Sequence, residues 1–260
     1  MCIRDSSKYG TLSRPHDNHH NFNLLEEDLV QWDSKNIQPH PDIKDVDFII
    51  AGAAMIGGIS YFHKYAYDLL ATNERILANT FDLAIRLHKE QNLKRIVVLS
   101  SSMVFENTYF YPSAEKDLPK IPPPDSTYGF QKLASEYFAK GAWEQYKLPY
   151  TIIRPFNCIG VGEKRALGDV DVMSGNVQLA MSHVVPDLVQ KIVKGQDPLH
   201  ILGKGNQIRH YTYGGDLAEG IRMCIENKRA INEDFNLSTS ISTTVLSLAC
   251  LLYTSDAADE

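Results

Sequence analysis

The chain has 260 residues, a formal net charge of −6, 43% hydrophobic residues and 22% charged residues. This length suits one large domain or a domain with a lobe, and the composition excludes a disordered chain, a collagen-like fibre and a coiled coil. We expect no nucleic-acid partner from the mildly acidic balance, and no membrane span, because no apolar run reaches about 18 residues. Four cysteines without CxxC spacing and the lack of a basic, apolar leader predict a cytoplasmic protein.

Apolar runs and amphipathic segments alternate through the first part of the chain. Buried strands are predicted at 46–53, 95–100 and 150–154. Helices are predicted between them, at 69–90 and 128–146. This order is typical of an α/β fold, a Rossmann-like doubly wound parallel sheet. Ligands of such sheets bind beyond the carboxyl ends of the strands.

The second half is less regular. A Gly-rich stretch covers 160–175, and helices are predicted over 186–194 and 216–226 on either side of a strand–turn piece. We interpret this part as a smaller lobe interleaved with the end of the sheet. The two ends, 1–6 and 250–260, match no element pattern and are interpreted as non-native tails.

A tyrosine and a lysine carry the first chemical signal. Tyr128 and Lys132 are four residues apart, so both lie on one face of the predicted helix. An ammonium group beside a phenol favours the phenolate, so we expect Lys132 to lower the pKa of Tyr128 from about 10 towards neutral. Such a phenol can remove and return the proton of an alcohol. A serine from Ser100–Ser102, at the end of the preceding strand, would orient that hydroxyl.

Several motifs in order carry a family resemblance. The chain reads DFIIAGAA, LLATNERIL, IVVLSSSMVFE, STYGFQK, TIIRPFNCIG and SHVVPDLVQKIVKG. From about residue 8 to 249 it resembles the extended short-chain dehydrogenase/reductase family, in its nucleotide-sugar epimerase/dehydratase branch. The resemblance implies a dinucleotide-binding domain over 7–159, completed by about 210–240, and a substrate lobe of 160–209 plus 241–249.

The resemblance also implies roles for individual residues. Ser101, Tyr128 and Lys132 match the catalytic set, and Ser100 and Ser102 remain alternatives to Ser101. NAD is the implied cofactor, and NADP stays open. The residues implied to bind it are Asp28, Leu29, Ala53, Ala54, Asn73, Ser100, Tyr128, Lys132 and Pro155. Those implied to bind the substrate are Ser102, Met103, Asn157, His183, Val184 and Arg209.

One expected motif is missing. Only Gly10 precedes Gly52, so the Gly-rich loop that binds the pyrophosphate at a helix N-terminus has no counterpart. We therefore expect the chain to begin near the second strand of the family's fold and to bind nicotinamide cofactor poorly. No metal site is predicted, since the histidine cluster at 16–20 lacks further ligands at suitable spacing.

The type of reaction depends on which further acid/base residues the resemblance supplies. Ser102 and Met103 stand where a 4,6-dehydratase carries Asp and Glu, and Met103 also stands where a fucose synthase carries Cys opposite His183. We therefore predict a NAD(P)-dependent nucleotide-sugar epimerase, similar to UDP-glucose 4-epimerases, that oxidises a sugar hydroxyl transiently. The alternatives are a fucose-synthase-type epimerase/reductase acting on a GDP-4-keto sugar, and a non-catalytic dinucleotide-binding sensor. A homodimer through helices 69–90 and 128–146 is also implied.

Overall fold

A computed structural model describes residues 46–56, 64–160, 172–174, 177–179 and 183–256. In chain order its strands are β1 Phe48–Ala51, β2 Arg95–Leu99, β3 Tyr150–Pro155, β4 Cys158–Ile159, β5 Val172–Ser174, β6 Val177–Leu179, β7 Ile208–Arg209, β8 Thr212–Tyr213, β9 Glu233–Leu237 and β10 Thr243–Thr244. Its α-helices are α1 Ala66–Glu90, α2 Thr127–Tyr146, α3 Val184–Val193, α4 Gly214–Glu226 and α5 Val245–Asp256. Short 3₁₀ helices cover Ser102–Phe105, Glu115–Lys120 and Lys228–Ala230.

The central sheet is parallel and has the order β1-β2-β3-β9. Its register places Ile49 beside Ile96, and Ile96 in turn beside Tyr150. The inner strands β2 and β3 are buried along almost their whole length, which explains their continuous apolar sequences. The predicted α/β sheet is confirmed.

Helices cover both faces of this sheet. On one face, α1 and α2 pack against the strands through residues such as Phe81, Leu87 and Ala139. On the other face, α4 brings Cys224 and Ile221 against Val97 and Ile153. This arrangement is the doubly wound form that the sequence predicted.

The described residues divide into two units. Unit 1 consists of 46–55, 66–155 and 218–237, and unit 2 of the described parts of 56–65, 156–217 and 238–260. All four strands of the central sheet belong to unit 1. These limits lie close to the predicted domain boundaries, which remain a prediction.

Unit 2 is built around two helices and three small strand pairs. The pairs are β4 with β8, β5 with β6 and β7 with β10. In its core, Leu188 of α3 packs with Leu248 and Ala249 of α5. Helix α5 runs on to Asp256, so residues 250–256 are helical, although the sequence pattern predicted no element there. The partly buried Leu252 joins this core, which explains why the helix continues.

Within the described residues, no helix is both long and apolar enough to cross a membrane.

Candidate active site

The carboxyl end of β2 leads directly into a serine-capped turn. Ser100 and Ser101 are buried. Ser101 is the N-cap of the 3₁₀ helix Ser102–Phe105, and its Oγ accepts a hydrogen bond from the Met103 backbone N–H at 3.2 Å. Serine is favoured there because its side chain satisfies an N–H group that the helix leaves unpaired. The cap fixes Ser101 at the strand end.

The first turn of α2 approaches this strand end closely. Ser126 caps the helix, accepting from the Gly129 N–H at 3.0 Å, and its own hydroxyl donates to Glu106 at 2.8 Å. A Cβ at Gly129 would lie 2.6 Å from Pro124 Cβ and 2.9 Å from the Met103 carbonyl oxygen. Only glycine permits this contact, which brings Tyr128 to the serine turn.

Tyr128 and Ser101 are joined by a side-chain hydrogen bond. Burial raises the pKa of Tyr128, and the hydrogen bond from Ser101 opposes that rise. Lys132 Nζ lies 5.9 Å from the centroid of the Tyr128 ring. The expectation that Lys132 lowers the pKa of Tyr128 is therefore corrected. Desolvation of the phenol outweighs other influences, and Ser101 is the group that lowers the pKa.

Lys132 donates to the backbone of β2. Its Nζ lies 2.9 Å from the Leu99 carbonyl oxygen, and the residue is 8% exposed. Burial lowers the pKa of this ammonium group from 10.5 to about 8, because a charged group loses its hydration there. The structure thus brings Ser101, Tyr128 and Lys132 together in unit 1, and their catalytic roles remain predictions.

A buried ion pair that the sequence pattern did not predict adjoins this cluster. Glu136, one turn after Lys132 on α2, binds Arg154 of β3, and both side chains are almost completely buried, with 0% and 1% exposure. Ser100 Oγ donates to the same carboxylate at 2.6 Å. The signal in the sequence is a charged residue within an apolar strand, YTIIR, since a fully buried charge needs a partner.

Three of the predicted cofactor residues, Ala53, Ala54 and Pro155, lie at the carboxyl ends of β1 and β3, and Asn73 lies on α1. Asn73 of α1 is buried; its Oδ1 accepts from Met55 N at 2.6 Å and its Nδ2 donates to Met55 O at 3.0 Å. It therefore holds the segment that contains Ala53 and Ala54. Pro155 ends β3. Asp28 and Leu29 lie outside the described residues.

Lys132 has donors that suit a nicotinamide dinucleotide. The Lys132 ammonium carries three N–H donors, and within the described part of the chain one of them goes to Leu99 O. The remaining donors suit the hydroxyls of a ribose. Ala53 and Ala54, which follow β1, have short side chains and are half-buried. Lys132 therefore fits the ribose of the cofactor, whereas the Gly-rich loop expected for its pyrophosphate has no counterpart before Gly52, and the expected poor binding of the cofactor stays a prediction.

The predicted substrate residues are divided between the units. Ser102 and Met103 form the 3₁₀ turn of unit 1. In unit 2, Asn157 has a positive φ of 40° and its carbonyl accepts from Thr212 N at 3.1 Å. His183 is the N-cap of α3, and Val184 is the first residue of that helix. Arg209 lies in β7, and its Nη1 donates to Ile208 O. Their substrate contacts remain predictions.

Among the residues that the structure describes, no group of three or more His, Cys, Asp or Glu side chains could hold a metal ion.

The family model and the curated relatives point to the same protein family. The family model described as "NAD dependent epimerase/dehydratase family" matches residues 4–238. GDP-L-fucose synthase of Escherichia coli K12 is 21% identical over 237 residues, which is 86% of this chain and 69% of that protein. Across three curated relatives, the chain spans 69%, 55% and 50% of the relative's own length.

Solved structures show the same fold. UDP-N-acetylglucosamine 4-epimerase of Methanobrevibacter ruminantium M1, in complex with UDP-N-acetylmuramic acid, matches with a TM-score of 0.74 and 24% identity, covering 100% of this chain and 74% of that one. UDP-glucose 4-epimerase of Thermotoga maritima, with UDP-glucose, matches with a TM-score of 0.72 and 21% identity, covering 100% and 75%. The resemblance inferred from the motifs and the Rossmann-like fold are confirmed, and the family's description names the predicted cofactor, NAD.

Proposed function

The chain belongs to the NAD dependent epimerase/dehydratase family, and on that premise we propose that it is a nucleotide-sugar epimerase acting by transient oxidation of a sugar hydroxyl. The observation that carries the proposal is the hydrogen bond between Ser101 and Tyr128, with Lys132 one turn further along the same helix. These are the groups that the reaction requires, and they meet where a parallel sheet binds its ligands.

In this proposal, Tyr128 moves the proton and Ser101 orients the sugar hydroxyl. Burial raises the pKa of the phenol, so Tyr128 is protonated at neutral pH and can return a proton to a sugar oxygen. The oxidation step needs the phenolate as its base, and the hydrogen bond with Ser101 stabilises this form against the effect of burial; the phenolate then accepts the hydroxyl proton. Proton transfer requires these heavy atoms within hydrogen-bond reach of the substrate.

Lys132, Ala53, Ala54, Asn73, Ser100 and Pro155 would hold the cofactor, as the resemblance implies. NAD, when bound, supplies hydride transfer, and NADP is the alternative. Lys132 would bind ribose hydroxyls through its ammonium group while it stays attached to Leu99 O. The dinucleotide-binding domain would correspond to unit 1 and the substrate lobe to unit 2.

A second candidate is a fucose-synthase-type epimerase/reductase acting on a GDP-4-keto sugar. The similarity to the E. coli GDP-L-fucose synthase and the position of His183 at the start of α3 favour it. Met103 speaks against it, because a thioether cannot serve as the second acid/base.

The product of the complete gene should be tested with UDP-, GDP- and dTDP-sugars, with NAD and with NADP. We expect one nucleotide-sugar class to raise the melting temperature and to be epimerised. Tyr128→Phe should abolish turnover, whereas Tyr146→Phe, at the other end of α2, should retain it. The proposal fails if no nucleotide sugar stabilises the protein or if Tyr128→Phe turns over at the unaltered rate. Net reduction of a GDP-4-keto sugar would favour the second candidate.

We also propose a homodimer through α1 and α2. Apolar side chains are exposed on α2, including Phe130 (49%), Tyr137 (67%) and Phe138 (36%), and exposed aromatic clusters are typical of interfaces. Sedimentation equilibrium should give the dimer mass, and Tyr137→Glu should give the monomer. A monomeric unaltered protein would contradict the proposal.

A cytoplasmic location is proposed as well, since Cys224 and Cys250 are free thiols as expected in a reducing compartment. Cell fractionation tests it, and recovery from an oxidising compartment would contradict it.

A further inference from the structure

We propose that Glu136 and Arg154 are positioning residues for this reaction: their buried ion pair attaches α2 to the end of β2 and so sets where Lys132 and Ser101 stand. The inference rests on the proposed function in that it concerns the same catalytic cluster. Both side chains are buried, with 0% and 1% exposure, so the role assigned to both is to hold the neighbouring catalytic groups.

Three elements meet at the Glu136 carboxylate. From β3, Arg154 Nε donates to Oε1 at 2.7 Å and Nη2 donates to Oε2 at 2.7 Å. From the residue that follows β2, Ser100 Oγ donates to Oε1 at 2.6 Å. A two-pronged guanidinium–carboxylate contact is directional, so it fixes the rotation of Glu136 on the helix as well as its distance from the sheet.

The helix is thereby attached to β2 at two consecutive residues. Lys132 Nζ donates to the carbonyl of Leu99 at 2.9 Å, and Glu136, one turn later, accepts from Ser100. Ser101 follows at once and hydrogen-bonds to Tyr128. If α2 slid along β2, both attachments and the Ser101–Tyr128 contact would change together. Displacements of about 1 Å at a reacting centre can cost about 100-fold in rate.

The outer side of Arg154 extends this attachment to β9. Its Nη1 lies 2.5 Å from Asp234 Oδ2 and 3.5 Å from Asn236 Oδ1. Asn236 Nδ2 donates to the Ser113 carbonyl at 2.9 Å. Strand β9 therefore contacts both Arg154 and the loop between β2 and α2.

Stability alone does not explain this ion pair. Replacing a buried ion pair by well-packed apolar residues is often neutral or stabilising, because two charges must lose their hydration. Glu136 and Arg154 are buried to 0% and 1% exposure. A directional contact between β2, β3 and α2 fixes the position of these three elements relative to one another. Apolar side chains at the same positions would not fix it, because their contacts have no preferred direction.

The test compares two buried arginines at opposite ends of the sheet. Arg154→Lys keeps the charge but loses the two-pronged geometry. Arg95→Lys is the matched control: Arg95 is 4% exposed, begins β2, and donates to Thr151 Oγ1 at 3.1 Å, away from the catalytic cluster. Glu136→Asp, a milder variant that keeps the charge and shortens the side chain, is measured in parallel in case Arg154→Lys does not fold.

Two readouts are taken. The first is the pKa of Lys132, followed through ¹⁵Nζ resonances of the labelled chain and assigned with Lys132→Met. The second is kcat and KM of the complete gene product with NAD and its nucleotide sugar. The charged and titratable groups of this cluster are Tyr128, Lys132, Glu136, Arg154 and Asp234, and the substitutions conserve their total charge, so a change reports placement.

We expect Arg154→Lys and Glu136→Asp to raise the pKa of Lys132 from about 8 towards 10.5 as water reaches the ammonium group. We also expect kcat to fall by about 10- to 100-fold with little change in KM for the sugar. Arg95→Lys should alter neither. The inference is overturned if the pKa of Lys132 and kcat are unchanged in both variants, or if Arg95→Lys has the same effects. If the pKa responds but the unaltered protein epimerises no nucleotide sugar, the positioning role stands and the proposed function fails.

Discussion

Replacing Lys132 by methionine tests the electrostatic cost of burying the ammonium group. Burial lowers the pKa of Lys132 from 10.5 to about 8. Below pH 8 the lysine is charged in both the folded and the unfolded chain. Between pH 8 and 10.5 the unfolded chain binds more protons, so the free energy of unfolding rises with pH.

The size of this rise follows from the two pKa values. The difference between 10.5 and about 8 corresponds to about 3 kcal/mol. The unaltered chain should therefore gain up to about 3 kcal/mol of stability from this group as the pH rises through that range. Lys132→Met should lack the gain, because methionine does not titrate. Both chains keep the other titrating groups, whose effects cancel in the difference.

The assay is urea unfolding of both chains at pH 7, 8, 9 and 10. Lys140→Met is the control, since Lys140 is exposed on the same helix, and it should follow the pH dependence of the unaltered chain. Parallel pH dependences for the unaltered chain and Lys132→Met would refute the reasoning, and would show that Lys132 keeps its hydration in the folded state.

Three further predictions concern neighbouring groups. Ser101→Ala should raise the pKa of Tyr128 further, since it removes the hydrogen bond that opposes the effect of burial on this pKa. Ultraviolet difference titration against Tyr128→Phe measures the change, and an unmoved titration curve would contradict the prediction. Gly129→Ala should destabilise the fold because its Cβ would meet other atoms at 2.6 Å, whereas Gly141→Ala, with nothing within 4 Å, should stabilise it by about 0.5–1 kcal/mol; melting curves in which both variants change alike would argue against this reading. Asn73→Ala should cost about 1–3 kcal/mol and speed amide exchange after β1, where Asn73 makes two backbone hydrogen bonds; unchanged exchange would show that the segment is held otherwise.

Much of unit 1 was predictable because each inner strand is apolar on both faces. The predicted strand 95–100 and the structural β2, Arg95–Leu99, differ by one residue. Helix α1 begins at Ala66, three residues before its predicted start. Tyr67 is 76% exposed and Asp68 is exposed too, so the first turn lacks the apolar periodicity that marks the rest.

The catalytic cluster could be located from the sequence, but its contacts could not. The strand-end rule placed Ser101 near Tyr128. The direction of the Lys132 side chain depends on the Leu99 carbonyl, which no residue pattern reveals. Glu136 resembles an exposed helix residue in sequence, and only the fold brings Arg154 of β3 against it. The last turns of helix α5 were not predicted because Cys250, Leu251 and Tyr253 are exposed, and only Leu252 packs against the core that contains Leu188 of α3.

The position of β9 in the chain affects the order in which unit 1 can be completed during synthesis. β9 begins at Glu233, yet it pairs with β3, which ends at Pro155. A nascent chain therefore carries β1, β2 and β3 well before their last neighbour emerges. During that interval β3 is an open edge and Arg154 lacks the contacts with Asp234 and Asn236. A ribosome that stalls between these strands would release a product with an unprotected sheet edge, prone to pair with another chain.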